Sequence, residues 1–292
     1  MDGSRTQWPQ QELAALLGVE VRRLTPLGGE GFGRPYLAEL GDGRTVFAKA
    51  QRNAPPGFFD HEAWGLRWLG MVQGGVRTAA VLAAGPGLLV LERIVPERPS
   101  RRTAADFGRR LAITHDAGSP GFGREVDSMI ASEPLPAGSV ATGWPDFYAR
   151  ARLQPFLDRA VAAETIGDHD RHAVEQVIHR LPDLAGPAEP PSRLHGDLWS
   201  GNVLWAGGEA VLIDPAAYGG HRETDLAMLA LFSLPYLSVV LDGYQQVHPL
   251  AAGWQHRVGL HQLFPLLVHT VIFGGGYGAQ AGATARSLLG RS

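Results

Sequence analysis

The sequence contains no cysteine in 292 residues. Disulfides, thiolate metal sites and cysteine nucleophiles are therefore excluded. Lysine is nearly absent too: of 26 basic residues, Lys49 is the only lysine. There is no surplus of either charge, since 26 basic residues face 29 acidic ones for a net charge of −3. That balance supplies no field to hold nucleic acid or an anionic membrane. No apolar run approaches the ~18 residues of a membrane span. The N-terminal MDGSRTQWPQQELAALLG lacks the charged-then-apolar layout of a secretory signal. These absences predict a cytoplasmic protein with neither nucleic acid nor membrane as partner. The composition itself, 45% hydrophobic and 19% charged, is that of a globular protein. Its length exceeds the usual ~100–200 residues of one domain, so two domains are expected.

The pattern along the chain predicts an α+β architecture. Residues 11–18 read as a short amphipathic helix. A glycine cluster, Gly28-Gly29-Glu30-Gly31-Phe32-Gly33, precedes a hairpin over 36–40 and 45–50 whose turn is Gly41-Asp42-Gly43. A helix is expected over 58–70, because Phe59, Leu66 and Leu69 share one face. Strands are expected at 79–83 and 88–94, and prolines 96 and 99 then interrupt regular structure. The boundary falls near 95, giving domains 1–95 and 96–292. The second is mostly helical, with segments near 103–116, 145–164, 169–181 and through 222–292. A small hairpin, Val203–Trp205 and Val211–Ile213, interrupts it.

The chemistry concentrates in His195-Gly196-Asp197-Leu198-Trp199-Ser200-Gly201-Asn202 and in Asp214. Asn202 precedes the first strand of that hairpin and Asp214 follows the second, so a tight antiparallel return lets the side chains meet. Two such oxygen donors suit magnesium, which prefers one or two protein ligands plus phosphate oxygens. Asp197, five residues before Asn202, is placed to accept a proton from a hydroxyl. This is the H-x-D-x-x-x-x-N arrangement of kinase catalytic loops. The plainer alternative is a loop whose Asp and Asn cap backbone amides. Glu62 falls on the apolar face of the 58–70 helix and needs a cationic partner there. Lys49 ends a strand, and a strand lysine paired with a helix glutamate is how kinases hold the α- and β-phosphates. Glu62 could instead reach water. The glycines could cover phosphates with backbone N–H groups or form an ordinary turn. Lys49 also stands out because arginine, a planar fork, has replaced lysine everywhere else.

With these residues in place, the sequence resembles the fructosamine (ketosamine) kinases, within the protein-kinase-like aminoglycoside and choline phosphotransferases. The resemblance spans nearly the whole chain. It rests on the His195–Asn202 string, on Asp214-Pro215-Ala216 with Tyr218-Gly219-Gly220-His221-Arg222-Glu223-Thr224-Asp225-Leu226-Ala227-Met228, and on Gly143-Trp144…Phe147-Tyr148. It implies a two-lobe kinase-like fold with an antiparallel-sheet N-lobe and a helical C-lobe. It further implies ATP and Mg2+ as cofactors and a ketosamine as acceptor, phosphorylated on its third carbon. Asp197 would be the base, Asn202 and Asp214 the metal ligands, and Lys49 with Glu62 the ATP clamp. Gly28, Gly29 and Gly31 would lie over the phosphates, and Glu92 to Ile94 would form the adenine hinge. Asp225 and His195 would support the catalytic loop. Trp199 and Trp254 are the candidate acceptor contacts.

Two other functions remain open at this level: a kinase for aminoglycosides or other small alcohols, and a pseudokinase that only binds nucleotide. Charge bears on the first. Residues 226–292 hold one acidic side chain, Asp242, but several aromatics, among them Tyr236, Tyr244, Trp254, Phe264, Phe273 and Tyr277. Polycationic aminoglycosides need clustered carboxylates, whereas aromatic faces suit a sugar bearing one amine.

Overall fold

The computed structural model describes residues 4–28, 32–138 and 142–290, with the side chains of 4–7 excepted. Gly29 and Gly31 lie outside the described residues. The N-terminal part runs α1 (Ser4–Leu17), β1 (Val21–Pro26), β2 (Arg34–Leu40), β3 (Thr45–Ala50), α2 (Phe58–Gly70), β4 (Arg77–Thr78), β5 (Val81–Gly85) and β6 (Leu88–Glu92). Five of these strands form one antiparallel sheet in the order β1-β2-β3-β6-β5. Asp42 Oδ1 accepts from Arg44 N at 3.0 Å in the β2–β3 turn, and Gly43 has φ +89°, which a glycine adopts without strain.

Period-two alternation divides the sheet between two helices. Val46, Ala48, Leu88 and Val90 pack toward Leu13 of α1, in one core cluster. Phe47, Leu89 and Leu91 pack toward Phe59, Ala63 and Leu66 of α2 in another. Lys49 pairs with Leu89 across the β3–β6 ladder. It therefore points to the α2 face, where Glu62 waits.

The C-terminal part begins with α3 (Arg101–Asp116), whose start is a capping box: Ser100 Oγ accepts from Thr103 N and Thr103 Oγ1 from Ser100 N. Next come β7 (Ser128–Ile130), β8 (Glu133–Leu135), α4 (Trp144–Phe147), α5 (Gln154–Ala162), α6 (Asp168–His179) and α7 (Leu181–Leu184). Then follow β9 (Ser192–Leu194), β10 (Val203–Ala206), β11 (Glu209–Leu212), β12 (Tyr218–Gly220), α8 (Glu223–Leu231), α9 (Leu237–Val247), α10 (Trp254–Phe273) and α11 (Tyr277–Leu289). The α+β expectation holds. The single helix expected over 145–164 is instead α4, a π-helical turn at Tyr148–Leu153 and α5. Pro155 explains the change. It has no N–H to offer the Ala151 carbonyl, which takes Arg152 Nη1 at 2.7 Å instead.

A second proline shapes α10. Pro265 leaves the His261 carbonyl without its helical donor, and the Tyr148 hydroxyl enters the gap. That hydroxyl donates to Leu260 O at 2.9 Å, lies 3.2 Å from His261 O and accepts from Phe264 N at 3.2 Å. No helix of the described residues is long and apolar enough to cross a membrane.

One connection was not legible from local pattern. The two-residue β4 pairs in parallel with β11, Arg77 against Val211 and Thr78 against Leu212. A strand from before residue 95 thus completes a three-stranded sheet with the hairpin that precedes Asp214.

Candidate active site

The hairpin β10–β11 brings its two flanks together as expected. Ile213 N donates to Asn202 O at 3.1 Å, and Asn202 Nδ2 donates to Asp197 O at 2.8 Å, to Asp197 Oδ2 at 3.2 Å and to Asp214 O at 3.4 Å. The amide nitrogen is fully used, which leaves Asn202 Oδ1 as the group's remaining ligand atom. Asp214 has φ +54°, in the left-handed region, where the chain leaves the hairpin. Gly196 has φ +82°, and a Cβ there would overlap the Ala216 carbonyl. The residue between His195 and Asp197 can only be glycine.

Lys49 Nζ lies 2.5 Å from Asp214 Oδ1 and 2.9 and 3.1 Å from the two oxygens of Glu62. One ammonium thus faces two carboxylates, with Asp197 nearby as a third. Burial favours the neutral acid at Glu62, and the Asp214 charge adds to this, so its carboxyl is pushed up to about 7 even with Lys49 beside it. At Asp214 the close lysine outweighs burial and holds the acid below its ordinary value. For Lys49, burial opposes the charge but the two carboxylates prevail, and its pKa rises. Asp197, half-buried, is pushed up to about 7 by burial and then by the charge of Asp214.

The support beneath Asp197 is a chain of hydrogen bonds. Asp225, fully buried, accepts from the backbone N–H groups of His195 at 2.7 Å and Gly196 at 3.0 Å. Its carboxylate also faces His115 Nε2 at 3.2 Å, and His115 Nδ1 meets the Tyr244 hydroxyl at 2.8 Å. A carboxylate only accepts, so Nε2 is the donating nitrogen. His195 is held similarly. Its Nε2 faces the Ile213 carbonyl at 2.8 Å and so carries the proton, while Nδ1 accepts from Asp197 N at 3.2 Å. Burial keeps this imidazole below its ordinary pKa.

A cleft of about 580 Å3 opens over these groups. Lys49, Glu62, Asp197, Asn202 and Asp214 all line it, and so do Gly28, Trp199, His61 and Phe273. An adjoining and mostly apolar pocket of about 330 Å3 is lined by Leu91, Glu92, Ile94 and Ile213. Phe47, Leu27 and Asp214 line both cavities. The Glu92 carboxylate is engaged by Arg77 and by Ala80 N, whereas Ile94 makes no backbone hydrogen bond with the described residues. The Ile94 main chain is thus left open toward this pocket.

The sequence reading of the acceptor aromatics requires correction. Trp254 does not line the cleft; it packs against the cluster containing Leu234 and Leu250. Tyr244 and Phe264 are buried, and Tyr244 belongs to the support under Asp225. Trp199, 40% exposed, does line the cleft, and Gly201 carries no Cβ that would overlap its ring. Two residues escaped the sequence reading. His269 of α10 lines the cleft, with ring centroids 4.9 Å from Phe232, 5.4 Å from Phe273 and 5.0 Å from Tyr277. His61, one residue before Glu62, lines it as well. An apolar helix pattern cannot say which face of α10 meets a cleft.

The donor set fits a divalent cation. Three carboxylates share one ammonium, and the remaining oxygen atoms of Asn202 and Asp214 are hard donors at the base of the cleft.

Known proteins are similar to this chain over most of its length. The fructosamine kinase family model matches residues 9–291. A chloroplastic protein-ribulosamine 3-kinase of Arabidopsis thaliana is 33% identical over 276 residues, covering 90% of this chain and 82% of its own. A solved structure of a candidate fructosamine-3-kinase from Thermobifida fusca superposes with a TM-score of 0.91 at 44% identity, covering 97% of this chain and 98% of that one. The ADP-bound aminoglycoside phosphotransferase APH(2'')-Ib superposes at 0.65 with 14% identity over 99% of both chains, which shows a common protein-kinase-like fold. With the family model matching residues 9–291, the protein belongs to the fructosamine kinase family.

Proposed function

We propose that the protein transfers the γ-phosphoryl group of ATP to the third-carbon hydroxyl of a ketosamine. The observation that carries this reading is the convergence of Asp197, Asn202, Asp214, Lys49 and Glu62 on one cleft. Residues 1–95 serve as the nucleotide lobe and 96–292 as the acceptor lobe, in a cytoplasmic enzyme. Glu62 holds the Lys49 ammonium toward the α- and β-phosphates. The Ile94 main chain meets the adenine edge. Gly28 covers the phosphates. Asn202 Oδ1 and the free oxygen of Asp214 hold Mg2+, which neutralises phosphate charge when bound. Asp197 accepts the hydroxyl proton as the sugar oxygen bonds to the γ-phosphorus and the bond to ADP breaks. A base with a pKa near 7 is matched to that task. Asn202 Nδ2 orients the Asp197 carboxylate, and Asp225 and His195 hold the loop behind it.

On the acceptor side, Trp199 and Phe273 offer aromatic faces, and His269 offers a directed acceptor. Its Nδ1 faces the Pro265 carbonyl at 2.7 Å and so carries the proton, leaving Nε2 for a sugar hydroxyl. Among the described residues, the cleft is lined by no carboxylate beyond Glu62, Asp197 and Asp214. Asp168 and Asp170 lie on α6 beside Arg171 and Arg286, away from it. A polycationic aminoglycoside lacks counter-charges here. ADP release measured with a ribulosamine, a fructosamine and kanamycin tests the reading. The ketosamines are expected to give the higher kcat/KM. A higher value for kanamycin would overturn the acceptor assignment, and no release with any of them would overturn the kinase.

A further inference from the structure

The outer face of α2 borders a second cavity, of about 400 Å3, between Trp64 and Trp68 and the segment 119–126. Helical spacing separates the two faces of α2: Phe59, Glu62 and Leu66 turn inward, and His61, Trp64 and Trp68 turn out. Four planar groups form a pile. The Arg124 guanidinium lies 3.9 Å from the Trp64 ring, Trp64 stacks on Trp68 at 4.9 Å and 18°, and Arg193 lies 4.4 Å from Trp68. A ring face accommodates one neighbour at such separations, so the order is Arg124, Trp64, Trp68, Arg193.

The ends of this pile are half-buried cations without carboxylate partners among the described residues. Arg193 is fixed by main chain, donating to Trp68 O at 2.7 Å and Gly118 O at 3.3 Å. Arg124 donates through Nη1 to His61 Nδ1 at 3.1 Å. Arg124 also lines the cavity, where Glu125 is exposed at the rim and pairs with neither arginine. A guanidinium removed from water without a counter-ion is costly, and burial depresses both arginines. Phe122, Pro120 and Val126 supply apolar walls. The volume is within the range of small-molecule sites.

We propose that this cavity binds a small organic anion with an apolar body, its charge on Arg124 and its body against Trp68, Phe122 and Val126. The contact of Arg124 with His61 is also the wall between this cavity and the catalytic cleft, and Glu62 is the next residue on α2. Occupancy therefore alters nucleotide affinity, a coupling that rests on the cleft being the nucleotide site.

Phenylacetate is the probe, with 2-phenylethanol as its neutral counterpart and acetate as the bare anion. Binding to the full chain is measured by titration calorimetry with and without Mg2+ and a non-hydrolysable ATP analogue. Phenylacetate is expected to bind, and the two controls on the order of tenfold more weakly. Arg124→Gln should lose a similar factor and Arg124→Lys less. Val126→Glu, at a position 55% exposed, adds a repelling charge without touching the core and should also weaken binding. Asp197→Asn should bind as the parent does. By linkage, the analogue and phenylacetate must change each other's affinity by the same factor. Failure of phenylacetate to bind, undiminished binding in both Arg124→Gln and Val126→Glu, or loss of binding in Asp197→Asn would overturn the site. Binding with no change in nucleotide affinity would overturn the coupling, while leaving the kinase assignment intact.

Discussion

Two clusters of buried charge differ in one respect. Beneath the C-terminal helices, Glu223 is held by Arg257 through two bonds of 2.6 and 2.9 Å, and Glu189 by Arg222 through two of 2.7 and 2.8 Å. Each carboxylate has its own guanidinium. Burial alone would raise Glu223, but His261 and Arg257 pull it down to about 2. In the cleft, Glu62, Asp197 and Asp214 share a single lysine, and two of the three sit near 7. The closed cluster is structural. The open one has room for a cation and a proton.

The closed cluster shows why spacing alone misleads. His221, Glu223 and His261 place their ligand atoms within 4.8 Å of one another, as a metal site would. Yet Glu223 N donates to His221 Nδ1 at 3.2 Å, which leaves the proton on Nε2, the nitrogen a metal would require. Both Glu223 oxygens are already bonded to Arg257.

The sharpest way to break this contrast is at Asp197. Asp197→Ala should reduce turnover by about 10²–10⁴-fold and leave nucleotide binding and melting temperature nearly unchanged, in steady-state kinetics and calorimetry. Near-parental turnover would remove it as the base. The closed cluster should respond in the opposite way. Glu223→Gln leaves Arg257 facing a neutral amide and should cost roughly 3–5 kcal/mol in denaturant unfolding; a loss under 1 kcal/mol would show that the pair is dispensable. Third, Lys49→Arg should impair catalysis nearly as much as Lys49→Met, because a planar fork cannot replace a compact ammonium between Glu62 and Asp214. Mg-ATP should shield Lys49 from amine labelling, and equal labelling with and without nucleotide would contradict its place at the phosphates.

The smallest effect is in pH. Asp197 has a folded pKa of about 7, above its ordinary value of 3.8. Its contribution to stability is complete below about pH 4 and is lost as pH rises through 7. Glu223 is reversed: its contribution is present above its ordinary 4.5 and is lost as pH falls toward 2. Asp197→Asn should therefore flatten the fall in Tm between pH 5 and 8 by on the order of 2 °C and spare the acid limb. A variant whose Tm profile parallels the parent would show that Asp197 is not the titrating group.

The open cluster was legible because its parts are local or one hairpin apart: Asp197 and Asn202 in one loop, Asp214 after a tight return, Glu62 betrayed by a charge on an apolar face. Trp254 was misread because aromatic content does not reveal whether a ring fills a core or a cleft. His269 stayed hidden for the converse reason, since α10 is apolar on nearly every side. The π-helical turn was missed because Pro155 can interrupt a helix in several ways, and the Arg152 rescue of the Ala151 carbonyl selects one.

The parallel ladder of β4 on β11 bears on synthesis. When residues 1–95 have emerged from a ribosome, all five strands of the large sheet exist, yet β4 lacks its partner and Lys49 lacks Asp214. Both arrive more than a hundred residues later. The nascent half can close its hydrophobic sheet early, but Lys49 acquires its final neighbours only late in elongation, when the hairpin docks. The Lys49–Asp214 contact therefore cannot form on a chain that ends before the hairpin.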